Sequence, residues 1–488
     1  MTRSDALRTG ATGVAAAMGM LREGARLVSI FGSVDEDGKL RVHYILDDGE
    51  YHILDGPADG PIPSATPITP AAAWYERELH DLFGVPIDGH PDLRPLVLHE
   101  NWPDGVYPMV ANVAAVPWAN RSYSFLQVDG DGVCEVPVGP VHAGIIEPGH
   151  FRFSVVGDTV LHLELRHFYT HKGTEKLFEG STPERSVMIA ESVSGDACFS
   201  HAVAYCQAVE HSCGVVVPQR ADAIRLVGQE LERLIAHIGD VGALCGDVGF
   251  SVPAAYSSRL KERLLRESAD LLGTRYWRGI SVPGGVARNL LPAAASRLRH
   301  TIRTVTGEFA ELAQMILDTP SVQNRFESSG VLKPEVARDF AVVGPVARAS
   351  GVRMDVRRDH PYGAYRTWRF EPVMYHYGDV LARARVRIDE TAASASLLDE
   401  VLGALPQGET ATPFAVPHDA KGFAAVESPR GELLYWIEIR RGKIARCHIK
   451  SPSFQNWPAL PLAMPGNIIA DFPLINKSFN LSYSGCDR

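Results

Sequence analysis

From residue 219 onward the chain places apolar side chains every three or four positions. In PQRADAIRLVGQELERLIAHIGDVGAL, the residues Ile224, Leu231, Leu234, Ile235, Ile238 and Val241 fall on one stripe, the spacing of a helix that buries one side. SRLKERLLRESADLLG, AASRLRHTIRTVTGEFAELAQMIL and the segment from Asp379 to Leu405 also read as helices, so the chain beyond residue 180 is expected to be mainly helical. Arg383, Arg385 and Arg387 would spread around the last of these helices and bind neighbouring carboxylates. GELLYWIEIRRGKIARCHIKS reads as a hairpin with Arg441-Gly442-Lys443 at its turn.

The first part has a different texture. Residues 1–24 read as a helix with a cap at Ser4, followed by β segments RLVSIFGSV, LRVHYILDD and EYHILDG. A Pro-rich connector ends in Thr69-Pro70, an N-cap and first-turn pair for the helix AAAWYERELHDLFG, which Gly84 closes. Residues 101–132 carry turn residues and little periodicity and read as a linker. CEVPVGPV, HFRFSVVGD and TVLHLELRHFYT then suggest a short sheet. The expected architecture is a small α+β N-terminal domain, residues 1–125, followed by a mainly α-helical domain with a small β-sheet, residues 126–488.

Composition narrows the function. A net charge of -10, from 48 basic and 58 acidic residues, argues against nucleic acid, because phosphate binding needs a concentrated basic face. No apolar run reaches the ~18 residues a spanning helix needs, and GVAAAMGML lacks the flanks of a signal peptide. The chain is expected to be soluble and cytoplasmic, meeting the cytoplasmic membrane only peripherally, through a complex. Seven scattered cysteines without any C-x-x-C do not form a disulfide framework or a zinc ribbon. No G-x-G-x-x-G follows a strand, so no direct NAD site is read.

WYERELHDLFGVPIDGHPDLRPL, residues 74–96, resembles the signature of the thirty-kilodalton peripheral subunit of respiratory complex I. Its charges suggest a face for a partner, with His90 and Arg94 exposed after the Pro-Asp turn. GPVHAGIIEPGHFRF, RHFYTHKGTEKLFEG, VPGGVARNL and RRDHPYGAY are similar to the large subunit of energy-converting membrane-bound nickel–iron hydrogenases, a cousin of complex I's quinone-pocket subunit. Both parts in one chain match the arrangement of formate-hydrogenlyase and hydrogenase-4 large subunits.

The resemblance carries a test of its own. Hydrogenases of this kind hold nickel and iron with four cysteine thiolates, and the corresponding positions here are Ser194, Ala197, Ser482 and Gly485. A thiolate is a soft ligand, a serine hydroxyl stays protonated, and alanine and glycine offer no side-chain donor. No nickel–iron centre is therefore expected. Cys198 and Cys486 each lie one residue past a ligand position, about 100° around a helix, and a rearranged site from Cys198, Cys486 and His201 is the competing reading. Such hydrogenases also lose a C-terminal extension beyond a sequence like Cys486-Asp487-Arg488; this chain stops at Arg488, as expected where nickel is never inserted.

Other chemistry is implied by the same resemblance. The quinone-pocket tyrosine of complex I falls on Gly195, whereas His142 and His150 remain, either as quinone contacts or as structural bonds to loop carbonyls. Glu147 corresponds to a proton-passing glutamate; the alternative is an ion pair with Arg152 or Arg166. Asp196, Arg358, Asp359 and His360 are expected to line the same cleft. The implied partners are a small subunit carrying an iron–sulfur cluster and antiporter-like membrane subunits, with a quinone as the small-molecule candidate. The chain would then be a peripheral-arm subunit of an oxidoreductase or, in the alternative, a non-catalytic scaffold joining small subunit and membrane arm.

Overall fold

The computed structural model describes residues 7–9, 13–111, 117–143 and 146–488. Near the N-terminus a strand, Leu7–Thr9, precedes a helix, Gly13–Arg22, where one continuous helix was expected; the proposed cap Ser4 lies outside the described residues. Leu7–Thr9, Tyr51–Pro57, Leu40–Asp47 and Arg26–Val34 form a four-stranded sheet in that order, the first pair parallel and the others antiparallel.

Thr69 does not cap as expected. Its hydroxyl donates to the Asp339 carbonyl at 3.2 Å, and Pro70–Ala72 form a 3-10 turn that runs into the helix Ala73–Phe83. Gly84 does close that helix in the left-handed conformation, φ 71°, where a side chain would strike the Tyr107 ring. The expected exposed charge face is internal: Glu76, Arg77 and Glu78 are buried, and so is the imidazole of His90. Glu76 accepts from Ser64 at 2.6 Å and Thr66 at 2.7 Å, Arg77 donates to the Arg94 carbonyl at 2.9 Å, and Glu78 meets Arg488. These partners all lie outside the helix, Arg488 at the far end of the chain, so the charges read as solvated when the helix is taken alone.

The rest of the chain is built on helices and two antiparallel three-stranded sheets. Val133–Val138, His150–Val156 and Thr159–Arg166 form the first sheet, as the pattern indicated. The helices Gln219–Asp247, Ser251–Leu272, Pro292–Leu317 and Val380–Gly403 pack against one another, and the whole apolar stripe from Ile224 to Val241 is buried. The predicted hairpin exists as Gly431–Arg440 and Lys443–Lys450, but a third strand, Asp419–Ser428, joins it and lies on the helix Cys198–Cys213. Of the three arginines on the Val380–Gly403 helix, Arg387 meets Asp240 at 3.1 Å, whereas Arg383 donates to the carbonyls of Gly330 and Gly378 and to Ser478, not to a carboxylate.

The first and second parts share one apolar core. Arg26 donates to both oxygens of Glu432 at 2.9 and 2.8 Å, Tyr75 donates to Gln455 at 2.7 Å, and Arg446 reaches the Gly32 carbonyl at 2.9 Å. Among the described residues no helix is long and apolar enough to cross a membrane.

Candidate functional site

The segment before the helix Cys198–Cys213 and the helix Tyr483–Asp487 meet, although nearly 300 residues separate them in the chain. Ser194 and Ser482 have their hydroxyl oxygens 3.0 Å apart. Ser482 is the N-cap of the last helix, accepting from the Gly485 amide at 2.9 Å, which satisfies one of the donors that a helix start leaves open. A Cβ at Gly485 would lie 3.0 Å from the Ser482 Cβ and 3.4 Å from the Ser194 Cβ. Ala197 is held next to this group by backbone, its amide 3.4 Å from the Ser194 carbonyl. The four positions read as ligand positions from the resemblance thus form one buried group, with two hydroxyls and no thiol.

Around this group stand charges of both signs. The Ser194 hydroxyl donates to Asp196, and Asp196 pairs with Arg430 at 2.5 Å. Arg430, at the turn between the strands Asp419–Ser428 and Gly431–Arg440, also donates to the Asn480 carbonyl, and its Nη1 is buried without a partner. Asp196 keeps 44% of its side chain exposed, so the pair is the group's outer edge. On another side Glu147, half-buried, accepts from the Ser484 amide at 2.9 Å. Lys172 donates to the carbonyls of Ser192 and Val193 at 3.1 and 3.0 Å, its ammonium pulled below its usual range by burial and pushed back by Glu147 and Asp487.

The ion-pair alternative for Glu147 fails, because Arg152 pairs with Glu135 and Arg166 with Glu100. Both loop histidines bind carbonyls: His142 Nε2 donates to Gly149 at 2.7 Å and His150 Nδ1 to Gly139 at 3.2 Å. Burial lowers His150, and its Nε2 has no partner. The two rings therefore staple the loop that presents Glu147.

The string 357–365 does not join the group. Arg358 meets Asp359 at 2.7 Å and Glu371 at 3.8 Å, and His360 meets Asp47 at 3.1 Å while stacking on Tyr51. The His360 contacts tie the string to the first part of the chain and those of Arg358 stay within the second; none of them reaches Ser194, Ser482 or Gly485, a correction to the expectation that the string lines the cleft.

Cys198, Cys486 and His201 also stay apart in their bonding. The Cys198 thiol donates to the Tyr276 carbonyl at 3.3 Å, and His201 Nδ1 lies 2.8 Å from the Tyr435 hydroxyl. Burial pushes both thiols up and His201 down to about 3, so the thiols stay protonated and the ring neutral. No group of three or more His, Cys, Asp or Glu is placed to hold a metal ion among the described residues. The residue set does not fit a nickel–iron centre, which needs thiolates. Arg430 and Lys172 were missed in the sequence. Pro429-Arg430-Gly431 marks a turn, but nothing in one sequence says which carboxylate the arginine meets.

Residues 7–115 match the family described as the 30 Kd subunit of respiratory-chain NADH dehydrogenase, and residues 247–421 and 410–488 match its 49 Kd subunit. The chain is 34% identical over 496 residues to formate hydrogenlyase subunit 5 of Escherichia coli (strain K12), covering 96% of this chain and 85% of that protein. Hydrogenase-4 component G of the same organism is 34% identical over 435 residues, covering 87% and 76%. A chain from the structure of the membrane-bound sulfane sulfur reductase, an archaeal respiratory membrane complex, superposes with a TM-score of 0.69 at 25% identity, over 74% of this chain and all of that one. This chain therefore belongs to the oxidoreductase family of formate hydrogenlyase subunit 5 and hydrogenase-4 component G, in which the 30- and 49-kilodalton subunit types of respiratory NADH dehydrogenase are fused.

Proposed function

We propose that the chain is a peripheral-arm subunit of a membrane-associated oxidoreductase complex, and that it carries no nickel–iron centre. The observation that carries this reading is the 3.0 Å contact between Ser194 and Ser482, with the Gly485 amide closing the same group. The two serine side chains of the group are in contact with one another, and neither hydroxyl is a soft ligand. Residues 1–125 and 126–488 act as its two units. The chain holds a small subunit that carries an iron–sulfur cluster and sits on antiporter-like membrane subunits at the cytoplasmic face. The names of its relatives, a formate hydrogenlyase, a hydrogenase and a membrane-bound respiratory reductase, support that setting.

A redox cleft beside the partner's cluster, open to a quinone-like acceptor, is the catalytic form of this reading. It is favoured by the exposed edge of Asp196 beside Arg430 and by the half-buried Glu147. The scaffold form is favoured by the carbonyl bonds that occupy His142 and His150.

The deciding measurement is nickel and iron per chain in the complex purified natively through a tag on this protein. Iron at the level of one or more partner clusters with no nickel supports the proposal. Stoichiometric nickel overturns it.

A further inference from the structure

The interior of the helical part holds an ion cluster that the candidate site does not use. Four carboxylates, Glu230, Asp355, Glu390 and Glu427, face three guanidiniums, Arg233, Arg348 and Arg357, and each of the seven is at most 3% exposed. A dry interior does not tolerate a net charge cheaply, so seven such groups with one surplus carboxylate call for a bound proton.

The hydrogen bonds single out where it sits. Glu230 accepts from Arg357 at 2.9 Å and from the Tyr365 and Ser394 hydroxyls, both at 2.6 Å. Asp355 has its two oxygens on Arg357 at 2.9 and 2.7 Å. Glu390 takes Arg348 Nε at 2.6 Å and His237 Nε2 at 2.8 Å. Glu427 is left with the Val356 amide at 3.1 Å and with Arg348 Nη1 at 2.9 Å, a donor also spent on Asp355 at 3.2 Å and on the Met354 carbonyl at 2.9 Å. The neighbouring strands offer no spare cation. Lys450 is 2.6 Å from Glu432, and Arg26 bridges Glu432 and Asp47, two cations for two carboxylates.

We propose that Glu427 is a proton-binding site of this chain, a buried carboxylic acid that holds its proton at neutral pH and gives it up as the pH rises. Burial, reinforced by the Asp355 carboxylate and opposed by Arg348, Arg357 and Arg233 (the last donating to the Glu427 and Ser428 carbonyls at 2.7 and 3.1 Å), pushes Glu427 up to about 7. His237 does not compete for the proton, since burial holds it low despite Glu390. The site has a structural outlet. Glu427 lies at the end of the strand Asp419–Ser428, and Arg430, which grips Asp196, is in the turn that follows. Ionising Glu427 places a surplus negative charge at the root of that turn. The proton site stands whether or not the candidate site is free of metal.

The test is infrared titration of the full chain, wild type against Glu427→Gln, with thermal melting alongside. Glutamine copies the shape and the donor of the neutral acid. In wild type the carbonyl band of a protonated carboxylic acid is expected at pH 6 and lost as the pH rises past about 7. Glu78 and Glu232 are also pushed up to about 7, so the readout is the difference between the two proteins. That difference should contain one carboxylic acid. E427Q should already melt above wild type at pH 6 and by a wider margin at pH 8.5, because the unfolded chain gives up the Glu427 proton near 4.5 and the folded chain only near 7. An identical band in both proteins, or an E427Q chain that melts lower or fails to fold at pH 6, overturns the proposal, since each outcome means that the native residue is an ionised partner of Arg348.

Discussion

Glu147 and Ser484 stand 337 positions apart in the chain and 2.9 Å apart in space, the carboxylate accepting from the backbone amide. The bond ties the histidine-stapled loop to the last helix, so Glu147 has a positioning role whatever else it does. Glu147→Ala should cost about 1–2 kcal/mol by freeing the Ser484 donor, while Glu147→Gln keeps a carbonyl acceptor and should cost less. Denaturant unfolding of the three proteins measures this. Activity of the assembled complex separates the roles. If Glu147 passes protons, Gln fails as badly as Ala; if it only positions the helix, Gln retains most of the activity.

Arg488 lies between Glu78 of the first part and Glu175 of the second, and also donates to the Ile449 carbonyl at 2.6 Å. Its guanidinium is 2% exposed. Arg488→Ala would leave Glu78 facing Glu175 in the interior with one cation fewer. Breaking a buried pair from one side costs about 3–5 kcal/mol. The expected outcome is a large drop in melting temperature, and Arg488→Lys should recover only part of it, because an ammonium cannot reach both carboxylates as a planar fork does. A drop of under 1 kcal/mol would mean that Arg446, already 2.7 Å from Glu175, suffices.

Much of the fold was legible where a pattern repeats. The Ile224–Val241 stripe, the Gly84 stop and the 431–450 hairpin are each fixed by neighbours close in sequence. The strand Asp419–Ser428 was not legible, because Gly422, Ala424 and Ala425 give it no β signature. The reason is steric. A Cβ at Gly422 would lie 1.9 Å from the Ala208 carbonyl oxygen, so the strand is small where it lies on the helix Cys198–Cys213. The charges of Glu76, Arg77 and Glu78 misled for another reason, since what neutralises a buried charge is set by tertiary contact. The Ser194–Ser482 contact could be expected only through the family resemblance; spacing alone carries no sign of it.

Gly422→Ala follows from the same geometry. The strand and the helix must part before a methyl group fits, an overpacking cost of about 1–3 kcal/mol or more where backbone cannot yield. The helix Cys198–Cys213 begins just after Ser194, Asp196 and Ala197, so the shift should reach the site. Melting temperature gives the first effect. Faster hydrogen exchange at the amides of the 419–428 strand and the 198–213 helix, against unchanged exchange in the 26–57 sheet, gives the second.

His167 offers a test of acid stability. It is 1% exposed, neither ring nitrogen has a partner, and its ring lies 4.2 Å from that of Trp457. Burial, then the Arg166 and His142 charges, hold it down to about 3, against about 6.5 in an unfolded chain. Above pH 6.5 both states are neutral and the full stability is present. As the pH falls from there toward 3, the unfolded chain takes a proton that the native chain refuses, and stability drops by about 1.4 kcal/mol per pH unit. His201 and His448, held at about 3 and about 4, act in the same direction. His167→Phe removes one such group without breaking a hydrogen bond, so at pH 7 it should stay within about 1.5 kcal/mol of wild type. At pH 4.5 the variant should have lost about 2–3 kcal/mol less than wild type. Urea unfolding at both pH values measures the difference. Parallel losses in the two proteins would mean that His167 is protonated in the folded chain, which requires a polar partner beside Trp457 and Tyr483.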